Sequence, residues 1–266
     1  MGEAGHRLGV IGWPVGHSLS PRFQNAGLAA AGLSGWRYQP LPLPPPLLDE
    51  VVRALPGVDF RGVNVTLPHK ERALALADGS SSRAREIGAA NTLVFGSSGV
   101  WADNTDAPGL VATLPWPVAG RSALVLGAGG VARAAVWALR DAGAAEVRVW
   151  NRTPERAGQL ADRFGVTAVG EAGPADLLVH CTSLGLRGEP GLEGLPVSRP
   201  DLRGYGAVVD FVYRPGGTAL TGMARQMGIP TVDGLELLLA QGALSFELFT
   251  GLPAPVAEMR SALGQR

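Results

Sequence analysis

Ala123-Leu-Val-Leu-Gly-Ala-Gly-Gly-Val-Ala132 decides the architecture of this chain. The apolar run Ala123 to Leu126 is a buried-type strand, Gly127 to Ala132 a glycine turn, Ala132 to Ala142 a helix, and Glu146 to Trp150 a second strand. That is a complete βαβ unit, and its two strands must lie parallel in one sheet. The G-x-G-x-x-A spacing of Gly127, Gly129 and Ala132 arises easily by chance in a chain with 38 glycines, but it gains force from lying between a strand and a helix. Gly127 permits the tight turn, Gly129 lets backbone approach a pyrophosphate, and Ala132 keeps helix and sheet close. A purely structural turn is the weaker reading.

Immediately downstream, an NAD site carries Asp or Glu on the ribose hydroxyls about 20 residues after the turn. This chain reads Asn151-Arg-Thr-Pro-Glu-Arg156 there. The missing acid and the position of Arg152 favour a 2′-phosphate, and hence NADP. Asp176 to His180 and Ala207 to Phe211 continue the parallel sheet, separated by a loop containing Thr182-Ser-Leu-Gly185 and a proline-rich passage. Cys181 reads as a small buried residue, with no histidine-plus-acid arrangement to nominate it as a nucleophile. After Tyr213-Arg-Pro215 come a helix from Thr218 to Met227, a strand from Ile229 to Val232, and an apolar helix from Leu235 to Thr250 with Gln241 near its centre. A glutamine there can simply satisfy buried backbone groups.

Upstream, Pro115-Trp-Pro117 breaks the pattern and marks a domain boundary. Before it lie strands at Leu8 to Ile11, Trp36 to Leu43 and Phe60 to Val65, and helices at Arg22 to Ala31 and Leu47 to Leu55. Pro68 is expected to open a short helix through Ala77, and Ser80-Ser-Ser82 another that stops near Gly88. Asn91 to Phe95 and Val100 to Ala102 read as paired strands that exit at Asp103-Asn-Thr-Asp106, and Ala107 to Leu114 as a helix. Ser18 and Ser20 before Pro21 can cap a helix, or together receive a carboxylate; His17 reads as a packed or hydrogen-bonded histidine rather than a catalyst.

Lys70 stands apart because it is the sole lysine, every other basic residue being arginine. Lysine offers a compact ammonium that can exchange a proton, whereas guanidinium stays charged and forked. Asn64, Thr66 and Lys70 share a strand-to-helix corner, where α/β sheets commonly meet ligands. The chain has only five asparagines, and Asn64, Asn91 and Asn104 all fall at such boundaries in this region, which points to a polar pocket.

The totals narrow the partners. The 266 residues suit one large or two medium α/β domains, and 23 basic against 23 acidic residues leave no electrostatic footprint for nucleic acid or anionic membrane. A single cysteine excludes an internal disulfide. With no apolar run of about 18 residues and no signal-peptide core, the chain reads as cytoplasmic.

These stretches, in order, resemble the shikimate dehydrogenase family along nearly the whole chain. The resemblance is carried by Gly12-x-Pro-Val-x-His-Ser-x-Ser-Pro21, Asn64-Val-Thr-Leu-Pro-x-Lys-Glu71, Gly88-Ala-x-Asn-Thr92, Asp103-Asn-Thr-Asp106, the Gly127 turn, Asn151-Arg-Thr153, Asp210-x-x-Tyr-x-Pro215 and Gln241-Gly-Ala. It implies reversible NADPH-dependent reduction of 3-dehydroshikimate to shikimate. Ser18, Ser20 and Tyr213 would hold the substrate carboxylate, Thr66, Asn91, Asp106 and Gln241 the ring hydroxyls, and Lys70 with Asp106 would be the catalytic pair. Cofactor contacts would come from Gly127, Ala128, Gly129, Gly130, Val131, Asn151, Arg152, Thr153, Thr182, Phe211 and Gly234, with no metal. The resemblance also implies two domains, an N-terminal α/β substrate domain of residues 1–106 plus 239–266 and a Rossmann-like NADP-binding domain of 107–238. A homodimer is compatible with it. Gln24, His180 and Leu186 depart from the family pattern, which has histidine, asparagine and methionine there. The rivals are an NAD-dependent quinate/shikimate dehydrogenase, which an acid near Asn151 or Arg152 would have supported, and a catalytically silent NADP-binding sensor, which loss of Lys70 or Asp106 would have marked.

Overall fold

A computed structural model describes residues 5–186, 191–214 and 216–264; Pro215 of the Asp210-x-x-Tyr-x-Pro215 motif lies outside the described residues. The chain divides into two compact units, one of residues 1–105 and 241–266 and the other of residues 106–240.

In the first unit the elements run β1 (Arg7–Gly12), α1 (Ser20–Ala30), β2 (Arg37–Pro42), α2 (Leu48–Ala54), β3 (Phe60–Val65), α3 (Lys70–Leu76), β4 (Gly79–Ser80), α4 (Ser82–Ile87), β5 (Thr92–Gly96) and β6 (Gly99–Asp103). The six strands form one sheet in the order β2-β1-β3-β5-β6-β4. β1 lies parallel to β2 and β3, whereas β5 runs antiparallel to both β3 and β6. The core follows the alternation of the strands: Ile11, Val63, Val65, Leu93, Phe95 and Ala102 point into one cluster with Leu48 and Val52 of α2. Pro68 does not open α3, as its first-turn preference suggested. The helix begins at Lys70, behind His69 at the N-cap position, and Pro68 stays in the turn between strand and helix. α4 does follow its sequence signals, with the Ser81 hydroxyl accepting from the Ala84 N–H and Gly88 ending the helix at φ 74°.

The second unit runs α5 (Asp106–Thr113), β7 (Ser122–Leu126), α6 (Gly130–Asp141), β8 (Glu146–Trp150), α7 (Pro154–Phe164), β9 (Thr167–Ala168), β10 (Ala175–His180), β11 (Tyr205–Asp210), α8 (Ala219–Gln226) and β12 (Thr231–Val232). Its sheet is parallel throughout, in the order β12-β11-β10-β7-β8-β9. The chain moves outward from β7 through β8 to β9, then returns to the other side of β7 for β10, β11 and β12. That reversal is the doubly wound, Rossmann-like arrangement, with a switch point between β7 and β10. α7 was not anticipated from sequence, although Ala157, Leu160, Ala161 and Phe164 bury one face at helical spacing.

α9 (Gly234–Thr250) contains the second division between units, at Ala240/Gln241, and α10 (Val256–Gly264) follows it. Both Asp106 and the segment 239–240, which sequence reasoning places in the first unit, fall in the second. Among the described residues no helix is long and apolar enough to cross a membrane.

Candidate functional site

In the first unit, polar side chains collect at the sheet edge where β1 and β3 end, β5 begins and β6 ends. Backbone hydrogen bonds draw that edge together. Thr66 N–H donates to the Ile11 carbonyl (2.8 Å), Val65 N–H to Asn91 (2.8 Å), Asn91 N–H to Asp103 (3.1 Å) and Ala90 N–H to Lys70 (2.9 Å). Thr66, Lys70 and Asn91 thereby share one edge.

The Asn91 side chain is held by a buried network. The Asn91 amide donates to Thr105 Oγ1 (2.9 Å) and to Gln241 Oε1 (3.2 Å), while its oxygen accepts the Thr105 N–H (2.8 Å). Two residues 150 positions apart therefore meet as partners. Behind them, Tyr38 Oη donates to Asn64 Oδ1 (2.8 Å), and Asn64 Nδ2 donates to Ser245 Oγ (2.8 Å). Ser245 in turn lies 3.0 Å from both the Thr92 and the Thr105 hydroxyls. Such a network specifies one arrangement of its members, because any of them left unpaired in the interior would be costly. Sequence reasoning singled out Asn64, Asn91 and Gln241. It missed Tyr38, Thr92, Thr105 and Ser245, although Ser245 lies one helical turn beyond Gln241 and its hydroxyl donates to the Gln241 carbonyl (3.0 Å).

Lys70 is 7% exposed at the first turn of α3, so it is not a solvated surface charge. The preceding residue, His69, is anchored by its Nε2 on the Leu43 carbonyl (2.8 Å). Asp103 fixes the other end of the edge: Arg83 grips both of its carboxylate oxygens (2.7 and 2.6 Å), Ser81 donates to it (2.6 Å) and so does the Asn104 N–H (2.7 Å). Beyond this anchor the chain leaves the first unit, and Asp106 is the buried first residue of α5 in the second.

Ser18 and Ser20 flank Leu19, which holds the N-cap position of α1 without a side-chain cap. The Ser18 hydroxyl accepts the Ser20 N–H instead (3.2 Å), so neither serine caps the helix in the ordinary way. His17 is exposed rather than packed. Gln24 is fully buried and donates to the Gly242 carbonyl (2.8 Å), which ties α1 to α9.

In the second unit the carboxyl ends of the strands form the other candidate site. Gly127 has φ 119°, and a Cβ there would lie 3.1 Å from the Cys181 carbonyl carbon, so both its conformation and its neighbour demand glycine. A Cβ on Gly129 would meet nothing within 4 Å, and no side chain caps α6, which begins at Gly130. Open space before an uncapped helix start suits a pyrophosphate, and the turn of Gly127, Ala128, Gly129, Gly130 and Val131 fits a dinucleotide. At the end of β8 the Asn151 amide donates to the Thr153 carbonyl (2.9 Å), forming a turn that leaves Arg152 and Thr153 exposed. On the other side of β7, Thr182 and Phe211 follow β10 and β11, and Tyr213 is half-buried. Gly234 starts α9 so close to this segment that a Cβ would lie 2.5 Å from the Val212 carbonyl carbon.

Cys181 is half-buried, and beside it stands a pair that the sequence reading did not foresee. His180 Nδ1 lies 2.8 Å from Asp210 Oδ1, and its Nε2 lies 2.6 Å from the Thr182 hydroxyl. A histidine–acid pair is thus present, but it addresses Thr182. The available signal was a charged residue, Asp210, ending an otherwise apolar buried strand.

Comparison with known proteins covers both units. A family model described as the shikimate dehydrogenase substrate binding domain matches residues 10–93, one described as shikimate / quinate 5-dehydrogenase matches 112–178, and one described as the shikimate 5′-dehydrogenase C-terminal domain matches 234–263. The shikimate dehydrogenase (NADP(+)) of Methylobacterium radiotolerans is 45% identical, over 99% of this chain and 98% of that one. That of Thermus thermophilus is 46% identical, over 97% and 99%. The crystal structure of shikimate 5-dehydrogenase from a second strain of Thermus thermophilus, in complex with NADP(H) and shikimate, superposes with a TM-score of 0.86 at 42% identity, covering 97% of this chain and 98% of that one.

Proposed function

The chain belongs to the shikimate dehydrogenase family, and we propose that it catalyses the reversible NADPH-dependent reduction of 3-dehydroshikimate to shikimate in aromatic amino-acid biosynthesis. The observation that carries this reading is that the likeness runs unbroken through both units, so substrate and cofactor halves are matched together. The first unit, with α10 and the second half of α9, takes the substrate, and the second unit takes NADP. The enzyme works on a free small molecule in the cytoplasm.

When bound, NADPH supplies a hydride to the carbonyl carbon of the substrate. The electron pair of the C=O π bond then moves onto oxygen, and the protein has to meet that charge. Lys70 does so as a proton donor or a fixed ammonium at the reacting oxygen, with Asp106 as its partner. Asn91 and Gln241 present amides to ring hydroxyls, and their orientation is set in advance by the Thr105–Ser245–Asn64 network behind them. Thr66 adds a hydroxyl from the same edge, and Ser18 and Ser20, helped by Tyr213, hold the carboxylate. Arg152 receives the 2′-phosphate of the cofactor at the exit of β8, flanked by Asn151 and Thr153. Thr182, Phe211 and Gly234 line its course on the other side of the switch point.

The test is absorbance at the reduced-nicotinamide band with shikimate or quinate, and with NADP or NAD supplied separately. The expected result is the highest kcat/KM for shikimate with NADP. Equal or faster turnover with NAD would favour a quinate/shikimate dehydrogenase, and tight NADPH binding without turnover of either acid would favour a sensor.

A further inference from the structure

Thr182 was placed along the course of the cofactor, but Asp210 and His180, hydrogen-bonded to it in a chain at the carboxyl ends of β10 and β11, have no part in the chemistry above. Asp210 is 0% exposed and His180 is 1% exposed. The carboxylate ties together three segments. Oδ1 accepts from His180 Nδ1 (2.8 Å) and the Val212 N–H (2.9 Å), and Oδ2 accepts from the Thr218 hydroxyl that caps α8 (2.6 Å). A carboxylate can only accept, so Nδ1 carries the ring proton that it receives. In the neutral ring Nε2 is then an acceptor, and the Thr182 O–H donates to it across 2.6 Å. The same hydroxyl oxygen accepts the Leu184 N–H (3.1 Å). Its rotor is fixed, and one lone pair remains for a ligand.

The position of this chain in the sheet says which ligand group it serves. The glycine turn follows β7, and Arg152 lies beyond β8 on one side, which is the side of the 2′-phosphate. β10 and β11 lie on the other side of β7, so a dinucleotide crossing the switch point lays its nicotinamide half over them. The Thr182 backbone nitrogen is also packed on the glycine turn, 3.3 Å from where a Gly127 Cβ would be. We propose that His180 is a positioning residue for the cofactor: held by buried Asp210, it locks the Thr182 hydroxyl as an acceptor for donor groups of the nicotinamide half, its carboxamide N–H or ribose O–H. The inference rests on the NADP reading of the second unit and goes beyond it in assigning work to a residue that contacts no ligand itself.

The test is NADPH binding measured calorimetrically without substrate, beside steady-state kinetics, for His180→Ala, Thr182→Val, the double variant and Thr182→Ser. Loss of one positioned hydrogen bond should weaken NADPH binding about tenfold. The expected result is that each of the first two variants shows that loss with the KM for shikimate within about twofold of wild type. The double variant should be no weaker than the worse single, because both changes remove one linked interaction. Thr182→Ser, which keeps the hydroxyl, should bind nearly as wild type. His180→Gln takes the place of His180→Ala if that chain does not fold. Losses that multiply in the double variant, or a His180 variant with a lower Tm and unchanged NADPH affinity, would overturn the proposal. Wild-type protein that binds NADPH but does not oxidise shikimate would sink the substrate reading alone, since the binding cycle still reports on His180.

Discussion

Lys70→Arg separates charge from chemistry at a single position. At 7% exposure Lys70 has little room for a broader head group, and guanidinium is too weak an acid to exchange a proton at neutral pH. Proton-transfer catalysis is worth about 10²–10⁴-fold, so kcat should fall by that order while the chain still folds and still binds NADPH. A near-normal kcat would remove Lys70 from the mechanism. Arg152→Ala tests the cofactor in the same way. Arg152 is exposed after β8, and a charge-assisted contact to phosphate contributes roughly 1.5–3 kcal/mol, about tenfold or more in affinity. The KM for NADP should therefore rise by that factor with little change in the KM for NAD, and equal losses with both would show that the arginine does not read the phosphate. Both residues are nominated by the sequence alone, one by its uniqueness and the other by its distance from the glycine turn. Ser245 is not, and Thr92 and Thr105 stand inside recognised motifs without a role, because a hydroxyl carries no spacing signal and its importance comes only from the partners that the fold brings to it.

Among the elements, β3, β8 and the β7–α6 turn were readable because each combines an apolar run with turn residues at its end. α7 was overlooked because its entrance, Asn151 to Arg156, also reads as a cofactor motif, and the apolar stripe lies further along the chain. The register between β7 and β10 has no sequence signature at all, and one of its fixings is polar. Asp176 at the start of β10 accepts the Ser122 N–H (2.8 Å) and the Ser122 hydroxyl (2.9 Å) at the start of β7. Those two hydrogen bonds, with Arg121 nearby, hold the Asp176 carboxyl below its ordinary value. A carboxyl lowered on folding stabilises the folded chain at pH above its ordinary value and loses that contribution as the pH falls through its folded value. Asp176→Asn should therefore lower Tm at neutral pH, with the gap from wild type closing in acid below the usual aspartate range. A gap that stays constant from neutral to acid pH would show that the carboxylate charge does not hold this joint.

For the whole molecule, the decisive fact is that the first unit is discontinuous, being closed by residues 241–266. Composition and periodicity cannot reveal such a return; only the likeness of Gln241 to a substrate residue hinted at it. The returning segment brings Phe246 and Met259 (0% exposed) and Phe249 (2%) into the core of that unit. Glycines mark where they enter: a Cβ on Gly27 would lie 3.0 Å from Met259 Cγ, and one on Gly62 would lie 2.5 Å from Phe249 Cδ1. Burial of three such side chains contributes roughly 5–9 kcal/mol, at about 1.5–3 kcal/mol each. That sum is comparable with the whole stability of an ordinary domain, about 5–15 kcal/mol. A chain ending at Ala240 should therefore lose the first unit while the second, whose sheet and glycine turn lie entirely within residues 106–240, stays folded. Limited proteolysis of that chain should leave a resistant fragment beginning near Asp106, calorimetry should still detect NADPH binding, and oxidation of shikimate should be absent. Survival of a protease-resistant fragment spanning β1 to β6 would mean that the first unit is stable without its C-terminal helices, and that Gln241 returns to the site for chemistry alone.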